Sequence, residues 1–296
     1  LTDNIKATVL QHSTSEGYSI ITYELEYPRF IHAELMTHRV FSRNAASSRA
    51  IPIERMHQLI QEMPATPVHW GSNQAGMSAG AELTGESLHS AQINWQAACD
   101  SAIHNSRMLM LDGLHKQIAN RVTEPFQIMK TVVTSTEWAN WFQLRNHEDA
   151  QPEIRMLAQK MVEARDGSDP VSLAAGEWHV PYVDRKRISG VLYYYVNSEE
   201  VTAQQAQKIS ASCCAQVSYR RLDDSVAKAD AIFEKLITST PAHLSPVEHQ
   251  ATPMWQKRFI NGLNAWEWQR GITHMDRAGV YWSANFRGWT QLRQIL

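Results

Sequence analysis

From Thr37 to Arg49 the chain reads Thr-His-Arg-Val-Phe-Ser-Arg-Asn-Ala-Ala-Ser-Ser-Arg, a run that holds His38, Arg39, Arg43 and Arg49, the hydroxyls of Thr37, Ser42, Ser47 and Ser48, and no acidic residue. In a protein with a formal net charge of only -2, this is a local concentration of positive charge and donors. Guanidinium groups offer planar, forked donors, and serine hydroxyls and loop amides fill the remaining lone pairs, so the mixture suits an anionic, phosphate-bearing ligand. The plain alternative for such a stretch is a solvated basic turn.

A second stretch, residues 136–155, places Asn140 and Arg145 on one helical pattern. Five residues amount to about 500° of helical rotation, so the two side chains lie about 140° apart and bracket a ligand at the helix end rather than pair with each other. Trp138, Trp141, Phe142 and Leu144 are expected to form the buried face of that helix. Glu153 and Arg155, taken alone, read as surface charges.

The elements that must position these residues follow from periodicity. Residues 5–36 alternate in a way that suggests strands, with Ile20, Thr22 and Glu24 on one side, Ile21, Tyr23 and Leu25 on the other, and Pro28 as the end of the second strand. Phe30 to Phe41 reads as a helix that delivers the basic stretch, and a second helix begins near Pro52. The Pro- and Gly-rich segment 64–77 is a loop whose His69, Asn73 and Gln74 could lie where the backbone approaches a ligand. A long helix is expected from about Ser87 to Arg121. Residues 166–186 cluster Gly, Pro and Asp and form the candidate linker between halves at 1–165 and 187–296. The second half opens with the strand-like Val191 to Val196 and a helix from about Ala203.

Composition narrows the function. With 296 residues, 43% hydrophobic, and 10 Trp, the chain can bury a substantial core. It has no apolar run of membrane-spanning length, and its start has neither the basic nor the apolar segment of a secretory signal, so a cytoplasmic, membrane-free setting is expected. A pI near 6.7 argues for a mononucleotide rather than a nucleic-acid polymer as partner. Cys99, Cys213 and Cys214 lack disulfide or zinc spacing, His243 and His249 lack the i, i+4 separation of helical metal sites, and no metal is expected.

Thr37-His38-Arg39 followed by Asn44, Ser47 and Arg49 resembles the R-H-R, seven residues, Ser motif of the flavin-dependent thymidylate synthases. Asn140, Leu144-Arg145 and Ala150-Gln151-Pro152-Glu153-Ile154-Arg155 resemble the family's nucleotide-site segment. Gln216-Val217-Ser218-Tyr219 is similar to its Ala-Arg-x-Ser-Tyr region, and His243-Leu244-Ser245-Pro246-Val247-Glu248-His249 to its His-x-Ser/Thr-Pro-Phe-Glu-His. Thr37, Ala45 and Gln216 depart from the pattern, replacing Arg, Glu and Arg. In most members the last two segments precede the R-H-R motif, and here they follow it, which suggests a circularly permuted fold or a partial duplication.

The resemblance implies an α/β (α+β) fold, a mixed sheet with flanking helices, and conversion of dUMP to dTMP with FAD, methylenetetrahydrofolate and NADPH or NADH. It implies that His38, Arg39, Asn44, Asn140, Ser218, His243 and Ser245 hold the flavin, that Ser47, Arg49, Arg145 and Gln151 bind substrate, and that the chain assembles as a homotetramer. Arg145 is the catalytic candidate, since a guanidinium against the pyrimidine oxygens would stabilise negative charge developing in the ring. A relative that hydroxymethylates dUMP or acts on dCMP, and a non-catalytic flavin- or nucleotide-binding protein, are the alternatives.

Overall fold

The computed structural model describes residues 4–218, 223–259 and 265–296. Tyr219, part of one family-like segment, lies outside the described residues. Strands β1 (Lys6–Ser15) and β2 (Tyr18–Pro28) form an antiparallel hairpin whose turn uses Glu16 and Gly17 at positive φ. After the short helix α1 (His32–Met36), strand β3 (Ser42–Ala45) joins the sheet as an edge. Helices α2 (Ile53–Glu62), α3 (Gly85–Leu111) and α4 (Lys116–Ala119) lead to β4 (Ile128–Ser135), then α5 (Ala139–Arg145), α6 (Pro152–Asp166) and β5 (Val171–Ser172). The resulting five-stranded sheet runs β3-β4-β2-β1-β5, antiparallel except for the β1–β5 pair.

Alternation along β2 decides what covers each face. Ile21, Tyr23, Leu25 and Tyr27, with Met129 and Val133 of β4, pack on Trp138 and Trp141 of the α5 region and on Ile154, Leu157, Ala158 and Met161 of α6. Ile20 faces the other way, into a core with Trp178, Val180, Ile209, Phe286 and Trp289. Each large apolar side chain so buried contributes roughly 1.5–3 kcal/mol, and a one-residue slip would turn Thr22 and Thr134 into the apolar face against α6, so the register is strongly fixed. A bulge in β1 between Val9 and Gln11 restores the parity that puts Ser13 on the Thr22 side.

The second half covers that other face. A three-stranded sheet, β6 (Asp184–Ile188), β7 (Val191–Val196) and β8 (Glu199–Val201), precedes α7 (Ala203–Ala215) and α8 (Val226–Thr238). A Thr202–Gln205 capping box starts α7, and Ser225 caps α8. Strand β9 (Ala251–Pro253), the small sheet β10 (His274–Met275), β11 (Tyr281–Ser283), β12 (Phe286–Arg287), and β13 (Trp289–Gln291), which pairs with β9, complete the chain. Among the described residues no helix is long and apolar enough to cross a membrane.

Several expectations are corrected. The helix expected from Phe30 to Phe41 is only His32–Met36, because the Arg43 guanidinium donates to the carbonyls of Met36 (3.0 Å) and His38 (3.1 Å) and ends it. The helix expected to reach Arg121 stops at Leu111, where Gly113 takes φ 83° as a left-handed terminator. Residues 166–186 are not a loose linker: Val171–Ser172 pairs with β1, and Leu173, Trp178, Val180 and Val183 are buried. Leu144 is 52% exposed rather than part of the buried face, and Glu153, expected at the surface, is 2% exposed.

Candidate active site

Arg145 ends α5 where it meets the turn after α1. Its Nε donates to His38 Nε2 (3.2 Å), one terminal nitrogen pairs with Glu34 Oε2 (3.2 Å), and the other donates to Thr37 Oγ1 (3.3 Å). The two family-like stretches thus meet at one guanidinium. His38 is buried, edge-on to Trp141 and stacked on Phe41. Burial first, then the Arg145 and Arg43 charges, hold its pKa below the ordinary imidazole value. A neutral ring that accepts at Nε2 carries its hydrogen on Nδ1.

Thr37, which stands where the family motif has arginine, donates to the Glu34 carbonyl at 2.7 Å while accepting from Arg145. Glu34 was not singled out from sequence. Its signal was its place three residues before Thr37, on the same side of one helical turn.

Arg145 lines a groove of about 1410 Å³, together with Glu34, Gln151, Arg155, His69 and Trp95. Gln151 caps α6: its Oε1 accepts from the Ile154 amide (3.1 Å), and its Nε2 donates to Glu153. Glu153 in turn accepts the Val68 amide at 2.7 Å and ties the 64–83 loop to α6. In that loop His69 pairs with Glu82 at 2.6 Å, and Trp70 donates its amide to the same carboxylate.

Strand β3 is where the second half reaches the same region. Ser42 Oγ receives hydrogen bonds from Asn285 (3.0 Å) and Gln291 (3.3 Å), and Gln291 also donates to the Glu248 carbonyl at 3.1 Å. The Ser47 amide donates to Ser218 Oγ at 2.8 Å. With the Asn44 amide turned so that its nitrogen faces acceptors, Nδ2 lies 3.1 Å from the Ser245 carbonyl, the Arg43 carbonyl and His249 Nε2. The opposite orientation would set its oxygen against two carbonyl oxygens.

The structure therefore brings His38 and Arg145 together, and separately Asn44 with Ser245 and Ser47 with Ser218. Arg39, Arg49, Asn140 and His243 are exposed; the Arg49 amide donates to Ser47 Oγ (3.3 Å), and the His243 amide to the Leu236 carbonyl (3.0 Å). His249, fully buried against Asn44, Gln291 and Asn285 are constituents that sequence reasoning missed. His249 lay inside one of the family-like segments. Among the described residues no cluster of metal-ligating side chains occurs.

The five-stranded sheet with flanking helices defines a mixed α/β protein. The family model described as "Thymidylate synthase complementing protein" matches residues 5–171, and the chain belongs to that family, among its pyrimidine-nucleotide-modifying enzymes. Two solved structures of the UMP/dUMP methylase PolB from Streptomyces cacaoi are similar to it at 18% identity. The one bound with 5-Br UMP covers 54% of this chain and 88% of its own with a TM-score of 0.46; the one bound with 5-Br dUMP covers 54% and 89% with 0.44. No curated protein matches the chain.

Proposed function

We propose that the protein modifies C5 of a pyrimidine nucleotide using FAD and methylenetetrahydrofolate, with methylation of dUMP to dTMP as the first reaction to test. The observation that carries this reading is the Arg145 guanidinium, held by Glu34, Thr37 and His38 at a groove wide enough for a nucleotide. Its remaining in-plane N–H groups would donate to the pyrimidine carbonyl oxygens and stabilise charge that makes C5 nucleophilic. The neutral His38 ring fixes the guanidinium plane by accepting from Nε. Ser47 and Arg49 would take the phosphate or sugar end, and Gln151 would border the base.

The donor set also fits a flavin dinucleotide. Arg39, Asn140, His243 and Ser245 are exposed, and Asn44 and Ser218 partly so, which suits a pyrophosphate and a polar ring edge. A reduced flavin held there would supply the hydride that takes the transferred one-carbon unit to methyl. NADPH or NADH would restore it, a homo-oligomer would carry the site, and the late position of the Ser218 and His243–His249 segments fits a permuted family fold.

One observation favours a second reading. Ala45 is exposed where relatives place glutamate, and the carboxylate near Arg145 is Glu34 instead. A displaced carboxylate changes how the base and the reductant are met, which suits hydroxymethylation of dUMP or action on dCMP. The test is mass analysis of products from purified protein given dUMP or dCMP, the folate donor and a reduced nicotinamide cofactor, with the flavin spectrum recorded first. Protein that stays colourless, binds no FAD and leaves both nucleotides unchanged would sink the enzyme reading.

A further inference from the structure

Behind Asn44 a line of buried polar side chains crosses the sheet. His249 Nδ1 is 2.8 Å from Thr134 Oγ1, Thr134 Oγ1 is 2.7 Å from Thr22 Oγ1, and Thr22 Oγ1 is 2.8 Å from His179 Nε2. His179 Nδ1 is 2.8 Å from Ser13 Oγ, which also accepts from the Arg185 guanidinium at 2.8 Å. Thr22 and Thr134 are directly opposed on β2 and β4, and Ser13 opposes Ile20 on the same face. Ser13, Thr22, Thr134, His179 and His249 all have 0% exposure, so the line is closed to solvent. His179 and Arg185 lie beyond the residues matched by the family model.

Each hydroxyl carries one hydrogen and each neutral imidazole one N–H, so fixing one end of such a line fixes every member. At one end the carbonyls of Ser245 and Arg43 require Asn44 to present its nitrogen. His249 Nε2 then accepts, and the ring hydrogen sits on Nδ1 and points to Thr134. Thr134 donates to Thr22, Thr22 donates to His179 Nε2, and His179 Nδ1–H donates to Ser13. At the other end Ser13 Oγ has a second lone pair for Arg185, which can only donate, so the Arg185 contact is compatible with this direction, and the Asn44 end is what sets it. Burial pushes the His249 pKa down to about 3 and that of His179 well below its ordinary value, which keeps both rings neutral.

We infer that this relay positions the candidate site: it locks the tautomers of His179 and His249 and holds Asn44 with its Oδ1 as a hydrogen-bond acceptor. The orientation leaves Oδ1 3.5 Å from the Ser245 hydroxyl, on the partly exposed side of the strand. The group bound against Asn44 is then a donor, such as an imide N–H or a sugar hydroxyl. His249, Thr134, Thr22 and His179 act through Asn44 and are positioning residues. Only the identity of the ligand rests on the proposed function.

The experiment is nitrogen-15 NMR of histidine-labelled, full-length protein near neutral pH. The expected result is that the His179 and His249 rings are both in the neutral Nδ1–H form; an Nε2–H tautomer or an imidazolium at His179 or His249 overturns the relay. In Thr134→Val, a near-isosteric change, His249 loses its acceptor and shifts to Nε2–H, and binding of FAD or dUMP weakens about tenfold. Thr134→Ser, which keeps the hydroxyl, restores both. A T134V protein with an unchanged His249 tautomer, or with wild-type affinity for the ligand the wild type binds, overturns the proposal. If T134V does not fold, the wild-type and T134S rings decide. If the wild type binds neither FAD nor dUMP, the proposed function fails and the ring states still decide the relay.

Discussion

Arg145 is held at three points, and the three are not equivalent. Glu34 needs only a positive charge nearby, whereas His38 and Thr37 are reached by separate nitrogens of one planar fork. Arg145→Lys keeps the charge for Glu34 and loses the fork. Turnover is expected to fall on the order of 10²-fold or more, the scale of losing an electrostatic donor, while FAD content is unchanged because Asn44, Ser218, His243 and Ser245 sit on β3 and in the second half, and of the flavin candidates His38 alone is bonded to Arg145 among the described contacts. Steady-state kinetics beside the visible spectrum checks this. Near-normal turnover would make Arg145 a structural tie between α1 and α5, and Arg155, in the same groove, the next residue to test.

At the level of elements, the 64–83 loop depends on α6. Glu153 accepts the Val68 amide from within the packed face of that helix, so Glu153→Ala leaves the amide without its partner and frees one wall of the groove. The expected cost is roughly 1–3 kcal/mol of stability, with faster proteolysis in the loop than elsewhere; cleavage spread evenly over the chain would show that the contact is local only. Sequence alone read Glu153 as a surface charge because charge is the default signal of exposure, and nothing local reveals that a loop some eighty residues upstream needs an acceptor there. The two faces of β2 were legible, since alternation is a local signal of period two. The end of α1 was not, because Arg43, which terminates it, comes after the helix and acts through space. The 166–186 segment misled for the opposite reason: its turn residues are real, but Trp178, Val180 and Val183 between them fill the core. At the site, Arg145 beside His38 was readable through motif resemblance, whereas the meeting of His249 with Asn44 depends on the fold's return to β3.

For the whole molecule, the face of the sheet opposite α6 is the decisive surface. It buries two neutral histidines, and burial lowers the pKa of each, to about 3 for His249 and well below 6.5 for His179. A histidine depressed in the folded state binds a proton first in the unfolded state, so stability is fully present above about 6.5 and is lost as pH falls toward the folded value. Each ring contributes a slope of roughly 1.4 kcal/mol per pH unit in that window, and urea midpoints should drop on going from neutral to mildly acidic pH; equal midpoints would show that the folded rings take up protons as the unfolded ones do. The same surface decides whether the N-terminal half is a domain. Residues 1–165 carry the cluster around Trp141 and four strands of the sheet, yet Ile20, Val132, Thr22 and Thr134 on its other face rely on later residues: Ile20 on Trp178 and Ile209, Val132 on Cys214 and Val217, and the threonines on His179 and His249. Cut at 165, the fragment exposes an apolar sheet face and leaves the relay's hydroxyls without their imidazoles. It is expected to collapse or associate without a cooperative melt. Calorimetry and denaturant titration of the purified fragment measure this directly, and a soluble fragment with a single two-state transition would mean that the second half is an addition to a finished fold rather than its other wall.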